Sequence, residues 1–260
     1  MANESCTRRQ MMTGCMAAVG YGLAAKASLI HSNIGARHLL HEYVPMDEMV
    51  EVDWIASDGE AWIDTGFVPY NGFYPFSMEC VLGTRFVNTP FFGCSSSSEI
   101  SNWIDSKTLI FGFGMARNDR RYACKSKVQR NWVCWGTSYT GNEYYDGEMH
   151  EVDVNADSGA GSSDGYSLYV DDVKIPLQVI YLGSQVTTNS ESLGLFCTKA
   201  DGKACQVTDP SVGFKLRTFA IGNVLLKAVR IGDFGFMYDV NSGNLFGNNG
   251  GGRILFGPDL

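Results

Sequence analysis

Phe76-Ser77-Met78-Glu79-Cys80-Val81-Leu82 places an apolar side chain at every even position, with Ser77 and Glu79 between them. A period of two sends successive side chains to opposite faces, so the segment reads as a half-buried β-strand with Phe76, Met78, Cys80 and Leu82 toward a core. Leu109-Ile110-Phe111-Gly112-Phe113-Gly114-Met115 repeats the pattern. It is expected to put Leu109, Phe111, Phe113 and Met115 on one face and glycines on the other, where another backbone can approach closely. Outward from these two, short apolar bursts cut by Gly, Asn, Asp and Ser predict strands at 132–135, 149–154, 167–170, 193–197, 214–221 and 254–256. Residues 95–99 and 157–165 read as loops. Beyond the first 50 residues no long amphipathic helix is expected, and the pattern as a whole predicts an all-β antiparallel sandwich or barrel.

Composition agrees with one such domain. The chain has 260 residues, 45% of them hydrophobic and 12% aromatic, which is too apolar for a chain that stays disordered. Its net charge of −8 argues against nucleic acid as a partner, because tracking phosphates needs a concentrated basic face.

The N-terminus differs from the rest. Residues 1–27 carry Arg8, Arg9 and Lys26 against Glu4, leaving 17 basic and 27 acidic residues in the remainder. An uncharged run rich in Met, Ala and Gly separates Arg9 from Lys26 and ends in Ala25-Lys26-Ala27, a small-x-small cleavage pattern, so 1–27 reads as a signal peptide. The run is too short and too mildly apolar to span a bilayer, and no membrane span is expected in the mature chain. Thr7-Arg8-Arg9-Gln10-Met11-Met12 resembles the twin-arginine export signal. Residues 28–50, which hold His31, His38 and His41, read as a linker, and the domain is expected over 51–260.

Several motifs in that domain resemble those of concanavalin A-like, laminin-G-like jelly-roll domains, common in secreted bacterial and phage-associated proteins. Trp62-Ile63-Asp64-Thr65-Gly66 is similar to the family's opening, Phe91-Phe92-Gly93-Cys94 to its "FFG" strand, and Met149-His150-Glu151-Val152-Asp153-Val154 to its "WHxVxLD" strand. Leu168-Tyr169-Val170-Asp171-Asp172-Val173 resembles its "LYVDGV" hairpin, and Leu193-Gly194-Leu195-Phe196-Cys197 its "LFA" segment. Gly235-Phe236-Met237-Tyr238-Asp239-Val240-Asn241-Ser242-Gly243-Asn244-Leu245-Phe246-Gly247-Asn248 is similar to the closing "GMYDxVSGxLFGN" run. The resemblance implies a jelly roll and a structural role for His150. Asn241-Ser242-Gly243 reads as a tight turn, while Asp171-Asp172 replaces the family's Asp-Gly, so a different turn is expected there.

Candidate chemistry is sparse. The same fold family includes β-glucanases whose catalytic strand reads Glu-x-Asp-x-(x)-Glu. Glu51-Val52-Asp53-Trp54-Ile55-Ala56 begins so but has Ala56 where the second Glu belongs, and Glu151-Val152-Asp153-Val154-Asn155 ends in Asn155. Retaining hydrolysis needs two facing carboxyl groups, so no catalytic residue and no enzyme is expected. No nucleophile elbow accompanies His150. No cofactor and no metal site are assigned, although Asp157, Asp164, Asp171 and Asp172 are oxygen donors of the kind calcium takes.

Removing the leader leaves Cys80, Cys94, Cys124, Cys134, Cys197 and Cys205. Six cysteines allow fifteen pairings. Cys197 with Cys205, flanking a hairpin turn at Asp201-Gly202, has the best local geometry, and Cys124 with Cys134 brackets a short basic loop; buried free thiols are the alternative. Trp132, Trp135, Tyr139, Tyr144 and Tyr145 cluster with Asn142 and Asp146. Aromatic faces stack on sugars and amides or carboxylates bind hydroxyls, so this is the candidate ligand platform, with core packing as its alternative. The expectation is an exported binding module, periplasmic, cell-surface or extracellular, with a polysaccharide or surface protein as partner. A structural or assembly module of a surface or phage-associated protein is the alternative, and a β-glucan hydrolase is the reading the residues argue against.

Replacing Arg8 and Arg9 together by Lys is expected to abolish appearance of the processed form outside the cytoplasm of a bacterial host. Unchanged processing and localisation would refute the twin-arginine assignment.

Overall fold

The computed structural model describes residues 48–69, 74–84, 87–98, 109–116, 121–126, 131–136, 144, 146–156, 166–175, 177–183 and 189–260. The expected leader with Arg8 and Arg9, the expected linker up to 47, and Tyr139, Asn142, Tyr145, Asp157 and Asp164 lie outside these residues. Three short strands come first: β1 (Met49–Glu51), β2 (Ile55–Ser57) and β3 (Ile63–Asp64). Five longer ones follow, β4 (Phe76–Val81), β5 (Thr89–Ser95), β6 (Leu109–Ala116), β7 (Arg121–Ser126) and β8 (Asn131–Gly136). Then come β9 (His150–Ala156), β10 (Tyr166–Val170), β11 (Val173–Ile175) and β12 (Leu177–Gly183), and after them β13 (Gly194–Leu195), β14 (Cys197–Ala200) and β15 (Lys203–Val207). The chain closes with β16 (Lys215–Ile221), β17 (Val224–Ile231), β18 (Phe234–Asp239), β19 (Leu245–Phe246) and β20 (Ile254–Phe256). β1 already pairs Met49 with Ile231, so the domain starts inside the stretch expected as linker.

These strands form an all-β sandwich of two sheets. One runs β11-β10-β9-β4-β16-β17-β18-β19, with β1 on β17 and β2 bridging β16 and β20. The other runs β12-β8-β7-β6-β5-β13-β3, with the β14–β15 hairpin attached to β5. Neighbours are antiparallel except β14 on β5. Among the described residues no helix is long and apolar enough to cross a membrane.

The alternation that predicted β4 delivers Phe76, Met78, Cys80 and Leu82 to the core. Phe76 and Phe219 of the first sheet meet Phe92, Phe111 and Phe113 of the second, with ring centroids 4.9 Å apart for Phe76–Phe92 and for Phe92–Phe219. All five are at most 1% exposed. Burying each such ring contributes roughly 1.5–3 kcal/mol, and the edge-on contacts add about 0.5–1.5 kcal/mol per pair. These rings therefore lock the sheets face to face.

Two expectations are corrected. Leu109 does not share the face of Phe111, because the β5–β6 register slips between Cys94 and Ser95. Ile110 joins the Phe111 cluster instead, and Leu109, also fully buried, lies on the side of Gly112, 3.6 Å from where a Cβ there would stand. The strand expected over 193–197 is likewise broken at Phe196, whose φ is 60°. That turn lets the chain leave an antiparallel pairing of Gly194 with Gly93 and return as a parallel neighbour of the same strand, with Thr198 beside Gly93. The predicted hairpin turns form, with Gly243 at φ 75° and Asp201-Gly202 at φ 51° and 71°.

The first and last motifs of the domain meet in space. Asn248 Oδ1 accepts from the Trp62 amide at 3.2 Å and Asn249 Oδ1 from the Asp64 amide at 2.8 Å, while the Asn249 amide donates to the Trp62 carbonyl at 2.8 Å. The Asp64 carboxylate then accepts from Lys199 Nζ at 2.6 Å, the Ser192 hydroxyl at 2.6 Å and the Gly66 amide at 3.0 Å. Lys199 also donates to Ser192 Oγ and stands 3.9 Å from Glu191. The Lys199 and Asp64 side chains are only 7% and 17% exposed.

Removing one partner of a buried pair leaves an uncompensated charge, so Lys199→Ala is expected to lower unfolding stability by about 3–5 kcal/mol. Urea titration checks this, and a loss below about 1 kcal/mol would place the pair among exposed ion pairs.

Candidate functional site

The aromatic cluster expected from the sequence divides between the strands. β8, between β7 and β12, carries Trp132 and Trp135. Paired residues of an antiparallel ladder share a face. The register lines Trp132 up with Ser126 and Phe111, a core residue, whereas Trp135 lines up with Ala123 and Gly114 on one side and Gln178 on the other. Trp132 therefore stands in the ladder row of Phe111 and Trp135 in the row of Gly114. Tyr144 is 8% exposed and packs edge-on against the His150 ring at 5.3 Å, so it serves packing and not an open platform.

His150, at the start of β9, is the centre of the best-defined polar cluster. Its Nδ1 faces Asp171 Oδ2 at 2.7 Å and its Nε2 faces Asp146 Oδ1 at 3.0 Å. Two ionised carboxylates can only accept, so both ring nitrogens donate when the imidazole is protonated. Burial works against the charge, but the hydrogen bonds to Asp171 and Asp146 outweigh it, and the His150 pKa is raised above its ordinary value. Asp146 is held below the usual carboxylate range, first by the Glu148 amide and then by His150.

The β10–β11 turn puts Asp171 there. Asp171 and Asp172 take φ of 50° and 64°. A left-handed pair suits a two-residue hairpin, and Asp visits that region more readily than most residues. Asp171 Oδ1 accepts from the Glu151 amide at 3.0 Å, and the Asp171 amide donates to the Glu151 carbonyl at 2.9 Å. With a hydrogen bond to each carboxylate oxygen, Asp171 holds a turn against β9; Asp172 is exposed. Among the described residues no group of three His, Cys, Asp or Glu could hold a metal ion.

The nucleophile and acid candidates are also accounted for. Cys80 lies opposite His150 in the ladder, yet burial, followed by the charges of Asp171 and Glu79, pushes its thiol pKa up, so it stays protonated. In the first glucanase-like stretch, Glu51 pairs with Lys227 at 3.0 Å and Asp53 with the Arg217 guanidinium. In the second, the register sets Glu151 opposite Glu79 and Asp153 opposite Ser77, while Thr218 Oγ1 donates to Glu79 Oε2 at 3.3 Å. Sequence reasoning missed that facing pair. Alternation puts Glu79 on the polar face, but which strand lies alongside is a long-range choice. Cys197 and Cys205 are free thiols: the two-residue turn starts the ladder at Ala200 with Lys203, a register that never sets the two cysteines opposite each other, and beyond the bulge Cys197 faces Val207.

No family model matches the chain, and no curated protein matches it. The geometry is thus the basis for assigning a role to each cluster. His150 ties the Asp146 and Asp171 segments together through both ring nitrogens.

Because the His150 pKa is raised on folding, its contribution is complete below the unfolded value of about 6.5 and disappears as pH rises through the folded value. The thermal midpoint of the native protein is expected to fall relative to that of His150→Gln as pH rises above about 6.5. Parallel pH profiles for the two proteins would contradict the clip.

Proposed function

We propose that the chain is an exported, non-catalytic binding module of concanavalin A-like jelly-roll type, serving a polysaccharide or another cell-surface ligand. The observation that carries this reading is the placement of Trp135 of β8 in the ladder row of Gly114, between Ala123 and Gln178 in register. An indole supplies a stacking surface for the apolar face of a sugar. The resemblance at Trp62–Gly66 and at 235–248 supports the fold type. Tyr139, Asn142 and Tyr145 complete the proposed ligand set, with Asp146 contributing through the oxygen that His150 does not take.

Non-catalytic action is supported by how the acids are used. Asp146 and Asp171 are bound to His150, and Glu51 and Asp53 to cations. A hydrolase reading would rest on Glu79 and Glu151, whose strand positions face each other.

Binding isotherms and reducing-sugar release, measured on one polysaccharide panel, test the proposal. Binding without turnover is expected, weakened about tenfold by Trp135→Ala, which corresponds to about 1.4 kcal/mol, and unaffected by Glu151→Gln. Turnover that disappears in Glu151→Gln would replace the proposal with the hydrolase, and neither binding nor turnover would replace it with a structural or assembly role.

A further inference from the structure

We propose that Cys124 and Cys134 form a cross-strand disulfide that closes the β7–β8 hairpin. The ladder pairs Cys124 with Cys134, flanked by Ala123 with Trp135 and Lys125 with Val133, with no irregularity between them. Directly opposed residues of antiparallel strands have Cα atoms about 4.5–5.5 Å apart, inside the roughly 4.4–6.8 Å that a disulfide spans. A slip of one residue would remove the match.

The other cysteines of the described strands lack such a partner. Cys80 faces His150 and Leu216, and Cys94 faces Phe111 and Lys199. Cys197 faces Val207 across the bulged hairpin. Among the described residues, Cys124 and Cys134 are thus the cysteines paired directly in a ladder.

The bond would lie in a row that runs Phe92, Phe113, Cys124, Cys134 and Val179 across the second sheet. Phe92 and Phe113 are 1% exposed, so this is the core face. The bond fixes the register of β8, the strand carrying Trp135, independently of whether that tryptophan meets a sugar.

Formation requires an oxidant of the low-molecular-weight disulfide class. One cysteine thiolate attacks the oxidant's S–S bond, releasing one oxidant thiol and leaving a mixed disulfide. The second thiolate displaces the other half, forming the Cys124–Cys134 bond. The protein loses two electrons and two protons, and the oxidant becomes two thiols.

The test equilibrates the full chain with an oxidised and reduced glutathione buffer, quenches in acid, unfolds it and alkylates every free thiol before non-reducing peptide mapping. The expected result is a linked Cys124–Cys134 peptide, lost on reduction, with Cys6, Cys15, Cys80, Cys94, Cys197 and Cys205 alkylated. Alkylated Cys124 and Cys134, or either one linked to a different cysteine, would overturn the proposal. As a second readout, a phosphine reductant should lower the thermal midpoint of the native chain and leave that of Cys124→Ala/Cys134→Ala unchanged. Equal sensitivity of the two proteins would also overturn it.

Discussion

The buried contact between Asp64 and Lys199 sets the boundary conditions for one whole side of the sandwich. Two charges this poorly exposed persist only with each other and with hydrogen bonds to their remaining atoms, which Ser192 and the Gly66 amide supply. Meeting those requirements brings β3, β14 and the 189–193 segment to one point. The Asp64 amide extends the junction to Asn249 near the C-terminus. The phenylalanine layer provides most of the apolar driving force, but it is not directional. The polar junction fixes which edge segments lie beside β5.

His150 performs a related task in the other sheet. It is held by Asp146 on one segment and by Asp171 in the β10–β11 turn, and Asp171 is tied in turn to the Glu151 backbone. Charge is again used to join turns. The functional reading moves away from the only histidine of the domain toward the aromatic strand β8, where the ladder sets Trp132 in the row of Phe111 and Trp135 in the row of Gly114.

Strand existence was legible because side-chain alternation is a local property. Phe76 to Leu82 read correctly from one end to the other, and so did the turns at Asp201-Gly202 and Asn241-Ser242-Gly243. Failures arose where two strands had to agree. The slip opposite Ser95 brought Ile110 into the Phe111 cluster and left the buried Leu109 outside it, and the two-residue turn of β14–β15 set a register in which Cys205 does not face Cys197. Asp171 as the partner of His150, and Glu79 as the neighbour of Glu151, are separated from them in sequence and have no linear signature.

By itself the sequence determined the fold class, most strand positions and the turn residues, since period-two hydrophobicity and left-handed turn preferences act within a few residues. It also carried the paired motifs at the domain's two ends without disclosing that Asn248 and Asn249 bind the backbone of Trp62 and Asp64. Tertiary structure alone decided the neighbours, the register and therefore the company each functional group keeps. The reason is that ladder pairing is chosen by the summed burial and hydrogen bonding of whole strands far apart in the chain, and a shift of one residue exchanges the core and solvent faces without altering a single letter.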